Sequence, residues 1–260
     1  MTKQKKANMI AKDVTEYLSF AHLWYLGIII VIYIILFILL GRLEAPVSDF
    51  LNFSYSSSSI YIIIMGAISS YYFFPMYVQL GVTRKQTFKG NVVGALGGAL
   101  TLVILSAIIS LLQHLLFRLF NWTITDNQHL IENFIQFSEE TPFTSFLLGT
   151  SFLSQFSRWV MTLFSFWLTT VLNYAIGWMI GTGFYRASLF GGVGTILVGI
   201  FSLLVSEFFW DNSALVFLPE IRLEGNPLLL WVIAIVLTAA IIAFILWLIR
   251  QLTKKMPIKL

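Results

Sequence analysis

The residues able to do acid–base, nucleophilic or metal chemistry are sparse in this chain. It holds three histidines and no cysteine. Without a thiol there is no disulfide framework, no thiolate nucleophile and no cysteine metal site. His22 stands at the start of the first long apolar run, His114 beside Gln113 and one turn before Arg118, and His129 in a polar stretch. Each reads as an interfacial or loop residue, because the sequence supplies no converging partners for a ligand set or a catalytic group. There is no phosphate-binding GxxxxGK[ST] loop, no HExxH and no GxSxG elbow. The chain is therefore read as not an enzyme, with no metal and no cofactor of its own.

One short stretch does concentrate charge. Gly81 to Gly90 reads GVTRKQTFKG, with three basic residues between two glycines. On both sides lie about twenty residues without Asp, Glu, Lys or Arg. Its basic character follows from its place between two apolar runs. Its shape needs the elements around it.

Only 11% of the residues are charged, where a soluble domain carries roughly 25%. So much apolar surface requires lipid as solvent. The expected fold is all-α and polytopic, with six transmembrane helices at about 22–41, 60–80, 91–117, 158–181, 189–209 and 228–249. Each approaches the roughly 20 residues that cross the hydrocarbon core. Their centres lack Asp, Glu, Lys and Arg, and Glu207 lies only at the end of the fifth. With the N-terminus in the cytoplasm, twelve of the sixteen basic residues fall on the inner side and ten of the twelve acids outside. The positive-inside rule then gives a multi-pass protein of the cell membrane, N-in and C-in, with a basic tail at 250–260. A seventh span within 143–181 would place Arg186 and that tail outside, so 143–157 reads as an interfacial segment.

Before the first span, Ile10, Val14, Tyr17 and Leu18 form one helical stripe within a cytoplasmic segment, 1–21. This predicts an amphipathic helix on the inner membrane surface. The alternative is a plain continuation of the first span. Ser54 to Ser59 reads as a polar outer loop. Leu130, Ile131, Phe134 and Ile135 suggest a short helix in the long outer loop. Residues 210–227 either dip into the membrane edge or form an ordinary loop. Pro75 should kink span two one turn before itself. Gly177, Gly181, Gly191, Gly192, Gly194 and Gly199 suit close helix approach.

This layout resembles the permease subunits of type-2 ABC exporters of small Gram-positive bacterial type. The similarity covers nearly the whole chain in layout. Its most specific piece is Gln79-Leu80-Gly81-Val82-Thr83-Arg84-Lys85-Gln86-Thr87-Phe88, similar to an LG-[ST]-R-K-x-x-F segment of such permeases. The resemblance implies that Gly81, Val82, Thr83, Arg84, Lys85, Gln86, Thr87 and Phe88 form a coupling helix docking on an ATPase. Thr83 would cap it, Gly81 and Gly90 would turn the chain at its ends, and Phe88 would be its apolar anchor. The other reading is a solvated basic loop. Ser69, Ser70, Tyr72 and Phe73 become candidates for a substrate path; ordinary helix packing is the alternative. The implied partners are two cytoplasmic ATPase subunits carrying ATP and Mg, a second permease chain in a homo- or heterodimer, and the lipid bilayer, with no nucleic acid. The expected cargo is apolar or amphipathic. A secondary carrier is the first rival, disfavoured by charge-free spans. A non-transporting scaffold or immunity-type protein is the second.

Overall fold

The computed structural model describes residues 3–42, 49–119, 152–211 and 227–254. Its regular elements are all α-helices: α1 (Lys3–Arg42), α2 (Phe50–Tyr71), α3 (Phe73–Gln79), α4 (Arg84–Leu119), α5 (Phe152–Asp211) and α6 (Pro227–Lys254). They contain six stretches long and apolar enough to cross a membrane: Lys5–Leu39, Phe50–Gln79, Arg84–Leu116, Trp159–Arg186, Leu189–Trp210 and Trp231–Lys254. The chain is an all-α, multi-pass membrane protein. His129, the short helix at 130–135 and most of the 143–157, 210–227 and 250–260 segments lie outside the described residues.

Two of the six stretches belong to α5. The segment is helical throughout, yet Gly199 lies against Ile176 and Gly192 against Phe184. A straight helix would hold the first pair more than 30 Å apart. α5 is therefore a tight hairpin bent near 187–188, with a first limb of 152–186 and a second of 189–211. Six passes put the start of α1 and the end of α6 on one face, called here the terminal face, with the 80–83 turn and the α5 bend. The first limb is the central helix, and every residue from Thr170 to Met179 is buried.

Among separate helices, the two most extensively packed pairs are parallel rather than neighbours in sequence. α1 runs beside α4 along much of its length. Ile10 meets Gly90, Val14 meets Gly94 and Leu18 meets Gly98. Both triplets repeat every four residues, so one side's branched chains fill the gaps on the other side's glycine ridge. α2 runs likewise beside the first limb of α5, where Gly66 meets Tyr174 and Trp178, Gly177 meets Ile63, and Gly181 meets Ala67 and Ser70.

Three expectations change. The predicted interfacial helix is the first half of α1, which runs unbroken into span one. A helix of 40 residues is about 60 Å long, roughly twice the hydrocarbon thickness. Its stripe faces protein: Ile10, Val14 and Leu18 are buried on α4, while Tyr17 is partly exposed and packs edge-on to Phe73 at 4.9 Å. Span two begins at Phe50, a decade earlier than expected, because the serine tract is helical. Ser54 and Ser58 are buried there. Gly90 lies inside α4 and makes a close approach instead of a turn. The helix is interrupted where Pro75 acts. Proline has no N–H for the Tyr71 carbonyl, α2 stops at Tyr71, and Tyr72 takes φ −102° and ψ −61° before α3 resumes.

A side chain on the glycine ridge should force α1 and α4 apart. A Cβ at Gly94 would come within 2.6 Å of Val14, and overpacking of this kind costs roughly 1–3 kcal/mol. Gly94→Val is expected to lower the unfolding midpoint in nanodiscs by several degrees. Gly27→Ala, which meets nothing within 4 Å, should not. Equal midpoints for both variants would refute the ridge.

Candidate functional site

The terminal-face turn is built from two helix caps. α3 ends at Gln79, and Gly81 follows with φ 76°, a left-handed conformation that glycine adopts without strain. The Gly81 N–H donates to the Val78 carbonyl at 3.1 Å and the Val82 N–H to the Tyr77 carbonyl at 3.0 Å. This is the paired hydrogen-bond pattern of a glycine C-cap, with Val82 and Tyr77 both buried beside it. Thr83 then opens α4. Gln86, three residues on, accepts from the Thr83 N–H at 3.3 Å and from its hydroxyl at 2.8 Å, satisfying an N-terminal donor as in a capping box.

The segment expected to be a separate coupling helix, Gly81 to Phe88, is therefore a turn followed by the first turn of a 36-residue helix. Its side chains divide in two. Lys85 and Lys89 are exposed, as is Leu80. Thr87 is buried, and Phe88 is half-buried with its ring 5.4 Å from Trp178. Phe88 thus anchors α4 to the core of its own chain. Arg84 donates to the Lys254 carbonyl at 2.6 Å. From the α5 bend, Arg186 donates to the carbonyls of Gln251 and Leu252 at 3.0 and 3.1 Å. The last four carbonyls of a helix have no intrahelical donor and carry partial negative charge. Two arginines from separate turns therefore cap α6 and tie it to both.

Behind this face a polar seam runs between α1, α2 with α3, and α4. At its terminal end Tyr77 donates to Asp13 at 3.1 Å. Farther along, the His22 Nε2 lies 3.1 Å from the Gly98 carbonyl and its Nδ1 lies 3.0 Å from the Tyr61 hydroxyl. A carbonyl only accepts, so Nε2 carries the proton, and in a neutral ring Nδ1 accepts from Tyr61. Tyr25 stacks on Tyr61 at 4.1 Å and bonds Ser57 at 2.7 Å. Ser54 bonds Ser106 at 2.8 Å. Nearer the far face Gln113 donates to Tyr33 at 2.6 Å and accepts from the Phe50 N–H at 2.9 Å. There Asp49 caps α2 through the Leu51 N–H, accepts from Ser110, and faces His114 at 3.4 Å. His22 and His114 are thus members of one seam. His22 is fully buried, although the sequence placed it at an interface. The signals were present: tyrosine, serine and glutamine recur in α1, α2 and α4 at helical spacing, but no local pattern says that they meet.

The candidate path residues do not line one channel. Ser69 donates to Asn91 at 3.0 Å, and Tyr174 donates to the same oxygen at 3.1 Å. Ser70 bonds the Ala67 carbonyl, and Phe73 is buried between Tyr17 and Tyr77. Tyr72 points outward and is exposed. Among the described residues no three His, Asp or Glu side chains gather where they could hold a metal ion. No family model, curated protein or solved structure matches the chain.

The arginine caps have a direct readout. Each contributes on the order of 1 kcal/mol at a helix C-terminus. Arg84→Ala with Arg186→Ala should raise hydrogen exchange of the last turn of α6 on the order of tenfold. Unchanged protection there would show that the arginines do not hold it.

Proposed function

We propose that the chain is the membrane subunit of an ATP-driven exporter of the type-2 ABC kind. It works as a pair of permease chains with two ATPase subunits, which carry ATP and Mg on separate polypeptides. The terminal face is cytoplasmic, so the protein sits N-in and C-in in the cell membrane. The observation that carries this reading is the end of α4. It presents Lys85 and Lys89 beside exposed Leu80, on a capped turn joined to α6 through Arg84 and to the core through Phe88. A basic and apolar surface suits an acidic partner with an apolar pocket. Its rigid attachment suits the transfer of movement. ATP-driven closure of the partner displaces α4 and α3, and the switch at Tyr72 and Pro75 lets α2 respond. The cargo is apolar or amphipathic, since a strongly ionic solute would need pairing inside spans made mainly of apolar, aromatic and hydroxyl side chains.

A second reading has one specific observation in its favour. A buried histidine in a hydrogen-bonded seam is the sort of group a proton-coupled carrier uses. The seam's members satisfy one another, however, which equally suits helix adhesion. His22→Gln separates the two. A carrier would lose proton-coupled uptake with the fold intact, whereas an adhesive residue would lose stability and no coupling.

Lys85→Glu with Lys89→Glu should abolish co-purification with the ATPase while the chain still inserts and unfolds at its normal temperature. Phe88→Ala should instead lower stability by roughly 3 kcal/mol or less, as expected for a partly buried ring. Retention of the ATPase and of substrate-stimulated hydrolysis by the double lysine variant would sink the docking surface.

A further inference from the structure

The second limb of α5 buries an unusual set of residues. Its buried positions among the described side chains are Gly192, Gly199, Ser202 and Ser206, with no large apolar residue among them. They recur at intervals that keep them on one stripe, and Gly192 and Gly199 show where that stripe points. Gly192 lies against Phe184, and Gly199 against Ile176 and Ile180 on the first limb. Continuing this antiparallel register toward the far face brings Ser202 and Ser206 level with Asn173, and Ser206 level with Thr169. Asn173 and Thr169 belong to the same first-limb stripe as Ile176 and Ile180, at helical spacing. The centre of the hairpin is therefore a polar niche of two serines, a threonine and an asparagine.

Two groups in this niche are unpartnered. The Asn173 Oδ1 and the Thr169 Oγ1 are buried and make no hydrogen bond, and Asn173 as a whole is 3% exposed. Neighbouring hydroxyls behave differently. Ser165, Thr170, Thr182 and Ser202 each donate to the carbonyl four residues back. Thr169 leaves that carbonyl and keeps both a donor and lone pairs. A buried polar group left without a partner costs about 1–3 kcal/mol, and here two stand one helical turn apart.

We propose that the niche is a binding site for one small guest that both donates and accepts hydrogen bonds, a water molecule or the hydroxyl group of a lipid-soluble compound. The guest accepts from the Thr169 hydroxyl and donates to the Asn173 Oδ1. A water has a second proton for the Ser202 oxygen, whose own proton is committed to the Val198 carbonyl; a hydroxyl group makes only the first two bonds. Three hydrogen bonds are what a buried water usually makes. The side chains offer no formal charge, so a cation would bind with neutral oxygens only and an anion would meet too few donors. The guest bridges the limbs where the buried positions of the second limb are glycine and serine. The site needs no ATPase, so its test is separate from that of the exporter reading.

The experiment measures unfolding midpoints of the full chain in two kinds of nanodisc, one of phosphatidylcholine alone and one containing monoacylglycerol as the hydroxyl-bearing probe. Thr169→Val and Asn173→Leu replace the polar groups by apolar ones of similar size. If a guest is bound, each substitution strips it of a partner and lowers the midpoint by a few degrees. The double variant should then lose less than the sum, because the niche no longer needs filling. Thr169→Ser, which keeps the hydroxyl, should stay near the parent, and it preserves the comparison with Thr169→Val if Asn173→Leu does not assemble. Equal losses in both discs identify water as the guest, and losses confined to the monoacylglycerol discs identify the lipid hydroxyl. If Thr169→Val and Asn173→Leu leave the midpoint unchanged or raise it in both discs, the groups are plain orphans and the site does not exist.

Discussion

Inside lipid, helices gain little from burying apolar surface against one another, because the lipid tails are as apolar as leucine. Association then depends on close shape fit and on hydrogen bonds that have no water to compete with. The approach of α1 to α4 meets both demands along one line. The glycine ridge at Gly90, Gly94 and Gly98 brings the backbones together over Ile10, Val14 and Leu18. That closeness puts the Gly98 carbonyl within reach of His22, and the Gly94 carbonyl within 3.3 Å of the Thr15 hydroxyl. A bulkier ridge would separate the helices and remove those partners together. The seam toward Asp49 follows from the same parallel register, since α1 and α4 stay side by side as far as Tyr33 and Gln113.

The second parallel pair repeats the device with a different result. Gly66 of α2 and Gly177 and Gly181 of α5 remove the space between those helices, and here large side chains close around the contact. Trp178 is fully buried, with Phe88 and Tyr174 packed near it. Three helices thus meet at one tryptophan. The first limb of α5 can be the most buried span because it is held by α2 on one side and α4 on another, with α6 and its own second limb beyond.

Features set by short-range chemistry were legible in the sequence. The six crossings follow from runs of apolar residues. The break at Tyr72 follows from Pro75, the left-handed turn from Gly81, and the start of α4 from Thr83. Features set by what a side chain meets across the fold were harder to read. The serine tract looked like a loop because serine lowers local hydropathy, yet Ser54 and Ser57 bond Ser106 and Tyr25 on other helices. The early stripe on α1 had the right residues, but its partner lies 80 positions away on the glycine ridge. Gly90 looked like a boundary because it closes the short basic segment that Gly81 opens. The four-residue repeat through Gly94 and Gly98 was the available sign that it belonged inside a helix. The polar seam was the least legible, because none of its members is unusual until the parallel register places them together.

The same contacts decide how movement can pass through the bundle. α4 is stiff for 36 residues, and near its terminal end it is gripped from three sides: by α1 at the glycine ridge, by Trp178 at Phe88, and by the α6 terminus at Arg84. A push on the 80–83 turn therefore cannot be absorbed by bending α4 there. It must shift α1, the core and α6 as a unit, or be taken up where the chain can yield. That place is the junction of α3 and α2, where Pro75 leaves the Tyr71 carbonyl without its helical donor and Tyr72, at φ −102° and ψ −61°, stands between the two helices. α3 is joined to the turn by the glycine cap and leads straight to this break. On the exporter reading, the conformational switch then lies in span two at the level of Tyr72. On the same reading the basic end of α4 serves as a rigid handle, and the polar seam keeps α1 and α4 moving as one body.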